Sequence, residues 1–450
     1  THALKPRANE ILLAVCDPTD SGLQERGKQV LKPEGIWYSA VSGIWQTVWL
    51  EPLPETYIED FSVTPNIDEN EIEVEVGLSA NQDFIDFEVE IVLMDQSELV
   101  TRTVCEVGQT AYLRIEQPKL WSPDMPHLYG LIISLLKDEV VIDEVSSYAA
   151  LRKFSLVRDE QGYLRFGLNN QPLFLYGPLD QGYFPDGLYT PPNEEAMLFD
   201  LEYTKDIGCN MVRKHVKVEP ARWYYHCDQL GLIVWQDMPN GGFPDKPWQA
   251  TLSMVLGRSQ SDRRGLKRFG RQDPVNRAYF KAQLKGMIDY LYNFPCIAVW
   301  VPFNESWGQF HAKEIANWVK ELDTTRFVDH ASGWFDQGGG DFLSKHVYVK
   351  KLSLPRKMKN RAFVLSEFGG YSLQILGHLW DADHKFLCKF FDTKEELTQA
   401  YLELLQNQLI PLIPKGLAAA IYTQTTDVET EVNGFLTYDR KVENMDVEGI

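Results

Sequence analysis

The sequence predicts a multidomain β and α/β chain: a short β fragment, then a β-sandwich, then a (β/α)8 barrel. Three observations carry this. Between Tyr57 and Ala150 the chain alternates apolar and polar residues in short runs, EIEVEVGLSA, DFEVEIVLMD, AYLRIEQ and LYGLIISLLKDEVVIDEV, split by turn-rich stretches such as TPNIDEN. After Leu151, strand-like runs alternate with long amphipathic ones, the pattern of a parallel sheet wound by helices. Those runs supply eight strand candidates, the number that closes a barrel.

From Ile11 to Leu50 the pattern is strand and turn: ILLAVCD, a polar loop, then Ile36-WYSAVSGIWQTVWLEP, rich in aromatic and β-branched residues. Residues 1–52 thus read as a β fragment and 53–150 as a β-sandwich of about 100 residues. Within 151–450 the candidate strands end at Gly177, His215, Met238, Asn304, Ser332, Val349, Gly369 and Gln424. Helices are expected from Glu194, with Gly208 beyond the end, and from Val275 to Asn293. Pro302 marks a bend at the end of the fourth strand, since a proline inside it would remove a ladder donor. Gly333-WFDQGGG, between the fifth and sixth strands, carries no helical pattern.

The formal net charge of -20 over 450 residues argues against nucleic acid or an anionic membrane surface as partner. No apolar run reaches the roughly 18 residues that cross a bilayer, and nothing near the start reads as a signal peptide. The chain opens in mid-pattern at Thr1, so an N-terminal segment is expected to have been processed, trimmed or lost. A signal peptide lost with it would mean a periplasmic or secreted protein, otherwise a cytoplasmic one; a homo-oligomer stays open. The six cysteines are scattered without a Cys-x-x-Cys pair, so free, mostly buried thiols are expected, with no cofactor and no metal.

Barrel enzymes keep their chemistry at the C-terminal ends of the strands. Asp180, His215, Asp237, Asn304, Glu305, His346, Tyr348, Glu367, Gln424 and Asp427 fall there, with Trp235, Trp300, Trp307, Trp334 and Trp380 along the same rim. Carboxylates beside aromatic platforms suit pyranose rings, which offer apolar faces and hydroxyl edges. Glu305 and Glu367 each sit where an apolar run turns polar, in Cys296-IAVWVPFNES-Trp307 and Ala362-FVLSEFGG-Tyr371, and two carboxylates in one pocket are the minimum for cleaving a glycosidic bond.

At these residues the chain resembles glycoside hydrolase family 2, which holds β-galactosidases, β-glucuronidases and β-mannosidases. Asn304-Glu305-Ser306 resembles the family's acid/base motif and Ser366-Glu367-Phe368-Gly369 its nucleophile motif. Further matches are Gly27 to Gln29, Ser42 to Pro52, Leu120 to Tyr129, Arg213 to Pro239 and Asn433 to Arg440, so nearly the whole chain is covered. The resemblance implies a partial jelly-roll sugar-binding domain, an immunoglobulin-like β-sandwich and a catalytic TIM barrel, and retention by double displacement. Glu367 would be the nucleophile, Glu305 the acid/base with a raised pKa, and Asn304 a partner of the sugar 2-hydroxyl. Retention requires carboxyl groups about 5–5.5 Å apart.

His215 would contact the sugar or orient a carboxylate, and Asp180 would hold glycone hydroxyls or cap its loop. Tyr348 would hydrogen-bond the nucleophile, although Val349 stands in the proline position of the family's His-x-Tyr-Pro pattern. The glucuronidase branch carries Asn-x-Lys where this chain reads Glu431, Val432, Asn433, which favours a neutral glycone, a β-galactoside first, and leaves fucoside, arabinoside and mannoside open. The substrate is thus a glycoside or oligosaccharide. β-Glucuronidase or β-mannosidase action, a non-catalytic carbohydrate-binding protein, and a metal-dependent hydrolase built on His215, Asp329, His330 and His346 are the rivals. The basic stretch within 241–273 reads as a lid, part of an aglycone subsite, or a solvated loop.

Overall fold

In the computed structural model, residues 5, 7–22, 24–79, 86–242, 260–356, 358, 360–383 and 389–446 are described. The alternating runs after Tyr57 become seven antiparallel strands in two sheets. Ile58–Asn66, Glu71–Leu78 and Ala111–Arg114 make one sheet; Glu98–Glu106, Phe87–Asp95, Tyr129–Lys137 and Val140–Ala149 make the other. Side chains alternate faces along a strand, so every second residue (Ile72 and Val74; Val89, Ile91 and Leu93; Leu131, Ile133 and Leu135) meets in one core between the sheets. The sandwich is bolted to the barrel by polar groups. The Trp121 indole donates to Asp228 O at 2.8 Å, the Tyr148 hydroxyl to Asp228 Oδ2 at 2.7 Å, and Asn293 pairs with the backbone of Phe61 and Val63.

All eight expected barrel strands form one parallel sheet: Leu175–Asp180, Met211–Lys214, Ile233–Asp237, Ile297–Val301, Phe327–Val328, Phe342–Val347, Ala362–Gly369 and Leu417–Thr423. Neighbours follow barrel order from the fifth strand back to the first and on through the eighth and seventh to the sixth. The fifth and sixth strands share no ladder; Asp341 stitches them, its N–H donating to Val328 O at 2.9 Å and its carboxylate accepting from Val328 N at 2.7 Å. Only two residues of the fifth strand are extended, and no helix separates it from the sixth.

The first strand is shifted from its expected place. Gln171–Pro172 instead pairs with Leu164–Leu168, part of a hairpin with Phe154–Arg158 that plugs the barrel floor through Phe166. The apolar run is therefore divided between plug and barrel, and the strand extends three residues beyond Gly177. Pro302 falls just after the fourth strand, as expected. The helix Glu194–Asp206 is capped by the Asn193 side chain and followed by Gly208 at φ +80°, and Asp273 caps Pro274–Leu291.

Residues 7–52 lie mostly without ladder pairing. Gln29–Val30 and Tyr38–Ser39 form a two-residue parallel pair, while Ile11, Leu12, Trp49 and Leu50 of the strand-like runs are exposed. A strand needs a neighbour, and these runs meet none among the described residues. The middle of the segment is anchored over the barrel mouth, with Gly241 N donating to Arg26 O at 3.1 Å and Ser39 N to Glu429 Oε1 at 2.8 Å. Much of 241–273 lies outside the described residues. Of its basic side chains, Arg271 is buried and joins Glu25, Gly308 and Asn276 at 2.7–3.0 Å, so it clamps the N-terminal segment to the barrel. Cys209, Cys227 and Cys296 are buried thiols, Cys105 is half-buried and Cys16 exposed; Cys388 lies outside the described residues. No helix among the described residues is long and apolar enough to cross a membrane.

Candidate active site

Glu305 follows the fourth barrel strand in a tight turn. It and Ser306 take left-handed backbone angles, φ +49° and +64°, which cost a non-glycine residue roughly 1–3 kcal/mol each. The turn is held by Glu305 N donating to Ser332 O at 3.0 Å and Trp307 N to Asn304 O at 2.9 Å. Glu367 lies within the seventh strand, and the register places it opposite His346 of the sixth, with a bulge between Lys345 and His346. Such a bulge re-aims side chains next to a site.

Around the resulting cavity of about 200 Å³ stand His215, Asn304, Glu305, Trp307, Trp334, Tyr348, Glu367, Glu431, Asn433 and Lys28. His346 Nδ1 lies 2.9 Å from Glu305 Oε1 and 3.2 Å from Glu367 Oε2, and its Nε2 is 3.0 Å from Ser332 Oγ. Burial drives the His346 pKa down to about 4 against the pull of Glu367, so the ring is neutral. Nδ1 thus faces both glutamates and Nε2 faces Ser332: with both glutamates ionised the ring proton sits on Nδ1, and with Glu305 protonated Nδ1 accepts from it. Gly333 makes room for this ring: at φ +86°, a Cβ there would come within 2.5 Å of His346 Cγ.

One oxygen of Glu305 and one of Glu367 lie within 4.8 Å of each other. Burial raises the pKa of Glu305 to about 7, with the charges of Lys28 and Arg213 opposing and Glu431 adding to the rise. Burial raises Glu367 too, while His346, Arg213 and a hydrogen bond from the Tyr348 hydroxyl favour its ionised form. Arg213 is fully buried on the second strand. It donates to Glu367 Oε1 at 3.0 Å, to Asn304 Oδ1 at 2.9 Å and, through two nitrogens, to both oxygens of Asp237 at 2.9–3.0 Å. Asp237 in turn accepts from His215 Nδ1 at 2.8 Å. With its Oδ1 taken by Arg213, the buried Asn304 keeps an Nδ2 that meets no hydrogen-bond partner among the described residues.

Of the residues expected in the pocket, His215, Asn304, Glu305, Tyr348 and Glu367 line it and His346 joins the carboxylates. Asp237 stands behind the wall, orienting Arg213 and His215. Three others lie outside the lining, each consumed by the fold. Asp180 binds Lys214 Nζ at 2.6 Å and caps Gly182 N, and these contacts depress its pKa against the effect of burial. Gln424 accepts from Gln181 and donates to Asn433 at 2.7–2.8 Å, while Asp427 holds Gly434 N and Asn444. Among the tryptophans, Trp307 and Trp334 line the cavity. Trp235 and Trp300 are core residues, one stacked on Phe342 and the other bonded to Asp323, and Trp380 packs on Tyr438.

Arg213, Lys28 and Glu431 are the site residues that strand-end reasoning missed or placed elsewhere. Arg213 sits two residues before His215, where alternation puts it on the same face, and that was its one signal. The supposed metal set does not assemble: His330 pairs with Asp336, and His215 with Asp237. The one cluster with metal-like spacing among the described residues is Glu305, His346 and Glu367, whose polar atoms already satisfy one another.

Two carboxylates bridged by His346 at the mouth of an eight-stranded parallel barrel define the class of site. The chain belongs to glycosyl hydrolases family 2. The model of that family matches residues 56–152, and that of its TIM barrel domain matches 191–433. The β-galactosidase of Oenococcus oeni is 28% identical over 383 residues, which are 77% of this chain and 34% of that protein. That of Vibrio cholerae is 28% identical over 398 residues, 79% and 36% of the two chains. A putative β-glucuronidase of Formosa agariphila is 27% identical over 265 residues, 57% and 31%. The chain thus spans about a third of the length of these relatives. In fold it is similar to the β-D-glucuronidase of Dictyoglomus thermophilum, with TM-score 0.65 and 16% identity over 87% of this chain and 67% of that one. A putative β-galactosidase from Bacteroides fragilis gives 0.63 and 18% over 86% and 60%.

Proposed function

We propose that the chain carries the active site of a retaining β-glycosidase that releases terminal, β-linked neutral sugars, β-galactosides first. The observation that supports this is that one oxygen of Glu305 and one of Glu367 lie within 4.8 Å of each other and both contact His346, a close pair of the kind a retaining site uses, with carboxyl groups about 5–5.5 Å apart, rather than the wider pair of an inverting one. Glu367, ionised and held by Arg213 and Tyr348, attacks the anomeric carbon while Glu305 gives its proton to the leaving oxygen. Glu305, now a carboxylate, takes a proton from the water that releases the sugar. The unpartnered Asn304 Nδ2 is placed to donate to a sugar hydroxyl. The cavity, smaller than the about 300 Å³ at which pockets for drug-sized ligands begin, suits one pyranose ring and hence a terminal residue. We further assign 1–52 to the C-terminal part of a jelly-roll, 53–150 to an immunoglobulin-like module and 151–450 to the catalytic barrel.

For the glycone, the relatives named β-galactosidase and the carboxylate of Glu431 in the cavity wall support a neutral sugar. Lys28 in the same wall is the observation that favours a glucuronide instead. A panel of aryl β-glycosides decides: galactoside turnover is expected, and cleavage of the glucuronide alone would overturn the neutral glycone. The acid must be protonated, so activity on the panel falls as pH rises through about 7; a profile flat to pH 9 would remove Glu305 from that role.

Tyr348→Phe deletes a hydrogen bond that favours ionised Glu367. Its kcat is expected to drop about 10- to 100-fold, and the acidic limb of the profile to move to higher pH, because Glu367 then holds its proton longer. An unmoved acidic limb would show that the hydroxyl does not act on Glu367.

A further inference from the structure

We propose that Lys28, which the N-terminal segment inserts into the barrel mouth, is a specificity-determining residue whose ammonium donates to a hydroxyl of a neutral glycone, with Glu431 as the paired acceptor. This rests on the β-glycosidase reading for its substrate class.

The backbone first. Tyr38 N donates to Lys28 O at 2.9 Å, which fixes the segment in its two-residue pairing. Just before it, a Cβ on Gly27 would lie 2.7 Å from Val216 O, so the glycine lets the segment press onto the chain beyond the second barrel strand. Lys28 thereby reaches a cavity otherwise walled largely by strand ends.

The side chain is 6% exposed, yet its nitrogen forms no hydrogen bond among the described residues. Its contacts are Glu431 Oε2 at 3.8 Å, beyond hydrogen-bond reach, and the face of Tyr38, 5.2 Å from the ring centre. An ammonium carries three donors, and here they face the cavity, where whatever enters can accept them.

Glu431 explains why the partner should be neutral. Its Oε2 accepts from the Tyr38 hydroxyl at 2.5 Å and its Oε1 from Asn433 Nδ2 at 3.1 Å, so the carboxylate is held in place beside Lys28. The two charges cancel, which leaves no net attraction for a uronate. They present one donor and one acceptor side by side, and a sugar hydroxyl is both. A glycone carboxylate would accept from Lys28 but repel Glu431 at the same contact.

The test uses binding, which needs no turnover. D-galactose and its singly deoxygenated derivatives are titrated calorimetrically into the full chain, wild type and Lys28→Met. One deoxy derivative is expected to bind wild type about 10- to 100-fold more weakly than galactose, and to bind Lys28→Met no more weakly than galactose does. Lys28→Gln, which keeps a donor without the charge, should recover part of the discrimination; it also supplies the comparison if the methionine variant unfolds. In turnover, Lys28→Met should raise KM more than it lowers kcat, and move the basic limb upward, since the Lys28 charge lowers the Glu305 pKa. An identical deoxy-sugar pattern in wild type and both variants would overturn the proposal, as would wild-type binding of glucuronate in preference to galactose. Galactose binding without hydrolysis of any aryl β-glycoside would sink the enzymatic reading and leave Lys28 judged by binding alone.

Discussion

Glu367→Gln is expected to lower turnover of an aryl β-galactoside by at least about 10⁴-fold, because on the proposed mechanism Glu367 is the carboxylate that forms the covalent sugar ester. The substitution is nearly isosteric: the amide oxygen can still accept from Arg213, and the Tyr348 hydroxyl can turn to accept from the amide nitrogen, so folding should survive it. Glu305→Gln should lose less with activated aryl leaving groups, which need little protonation, and more with alkyl ones. Adding azide separates the roles. A Glu367→Gly variant should yield glycosyl azide of inverted configuration, since the anion attacks the substrate in place of the nucleophile; Glu305→Ala should yield the retained product, since the anion replaces water in the second step. Wild-type rates for Glu367→Gln, or the two azide products exchanged, would overturn the assignment.

Arg213→Met is expected to strike both stability and activity. The guanidinium is completely buried; burial disfavours its charge, yet Asp237 and Glu367 together hold its pKa above the ordinary arginine value. Burial already raises the pKa of Asp237 against the pull of Arg213, so removing the partner strands a buried acid. Breaking such a pair costs about 3–5 kcal/mol, equivalent in a domain this size to a Tm loss on the order of 5–10 °C. Activity should fall further than stability explains, because Glu367 loses a fixed donor and Asn304 loses the one that orients its amide. Unchanged melting with activity within fivefold of wild type would show that the clamp is dispensable. The variant also tests reach: Asp237→Asn, which keeps a hydrogen-bonding shape without the charge, should cost less in both measures.

The architecture was legible because it is periodic. Apolar alternation between Tyr57 and Ala150, and eight apolar runs after Leu151, need only local pattern, and both resolve into the expected sheets. Glu305 and Glu367 were legible for a related reason: the end of a buried run is where polar residues reach a barrel mouth. The same rule over-predicted. It could not tell Asp180, Gln424 and Asp427 from pocket residues, because their partners, Lys214, Gln181, Gly434 and Asn444, become neighbours only when strands and loops come together. Trp235 and Trp300 failed similarly: an indole near a strand end serves the core or the rim according to the direction it faces.

The sequence by itself determined the β-sandwich, the eight-stranded barrel and the two glutamates at strand ends, since each follows from residue type and spacing along one stretch of chain. The tertiary structure alone decided how those glutamates are governed. His346 between them, Arg213 behind them, and Lys28 from beyond the barrel come from different segments of the chain, 21 to 339 residues from one glutamate or the other. Their charges matter only at contact distance in a buried, low-dielectric cavity, and proximity of that kind is a property of the closed barrel rather than of any window of sequence.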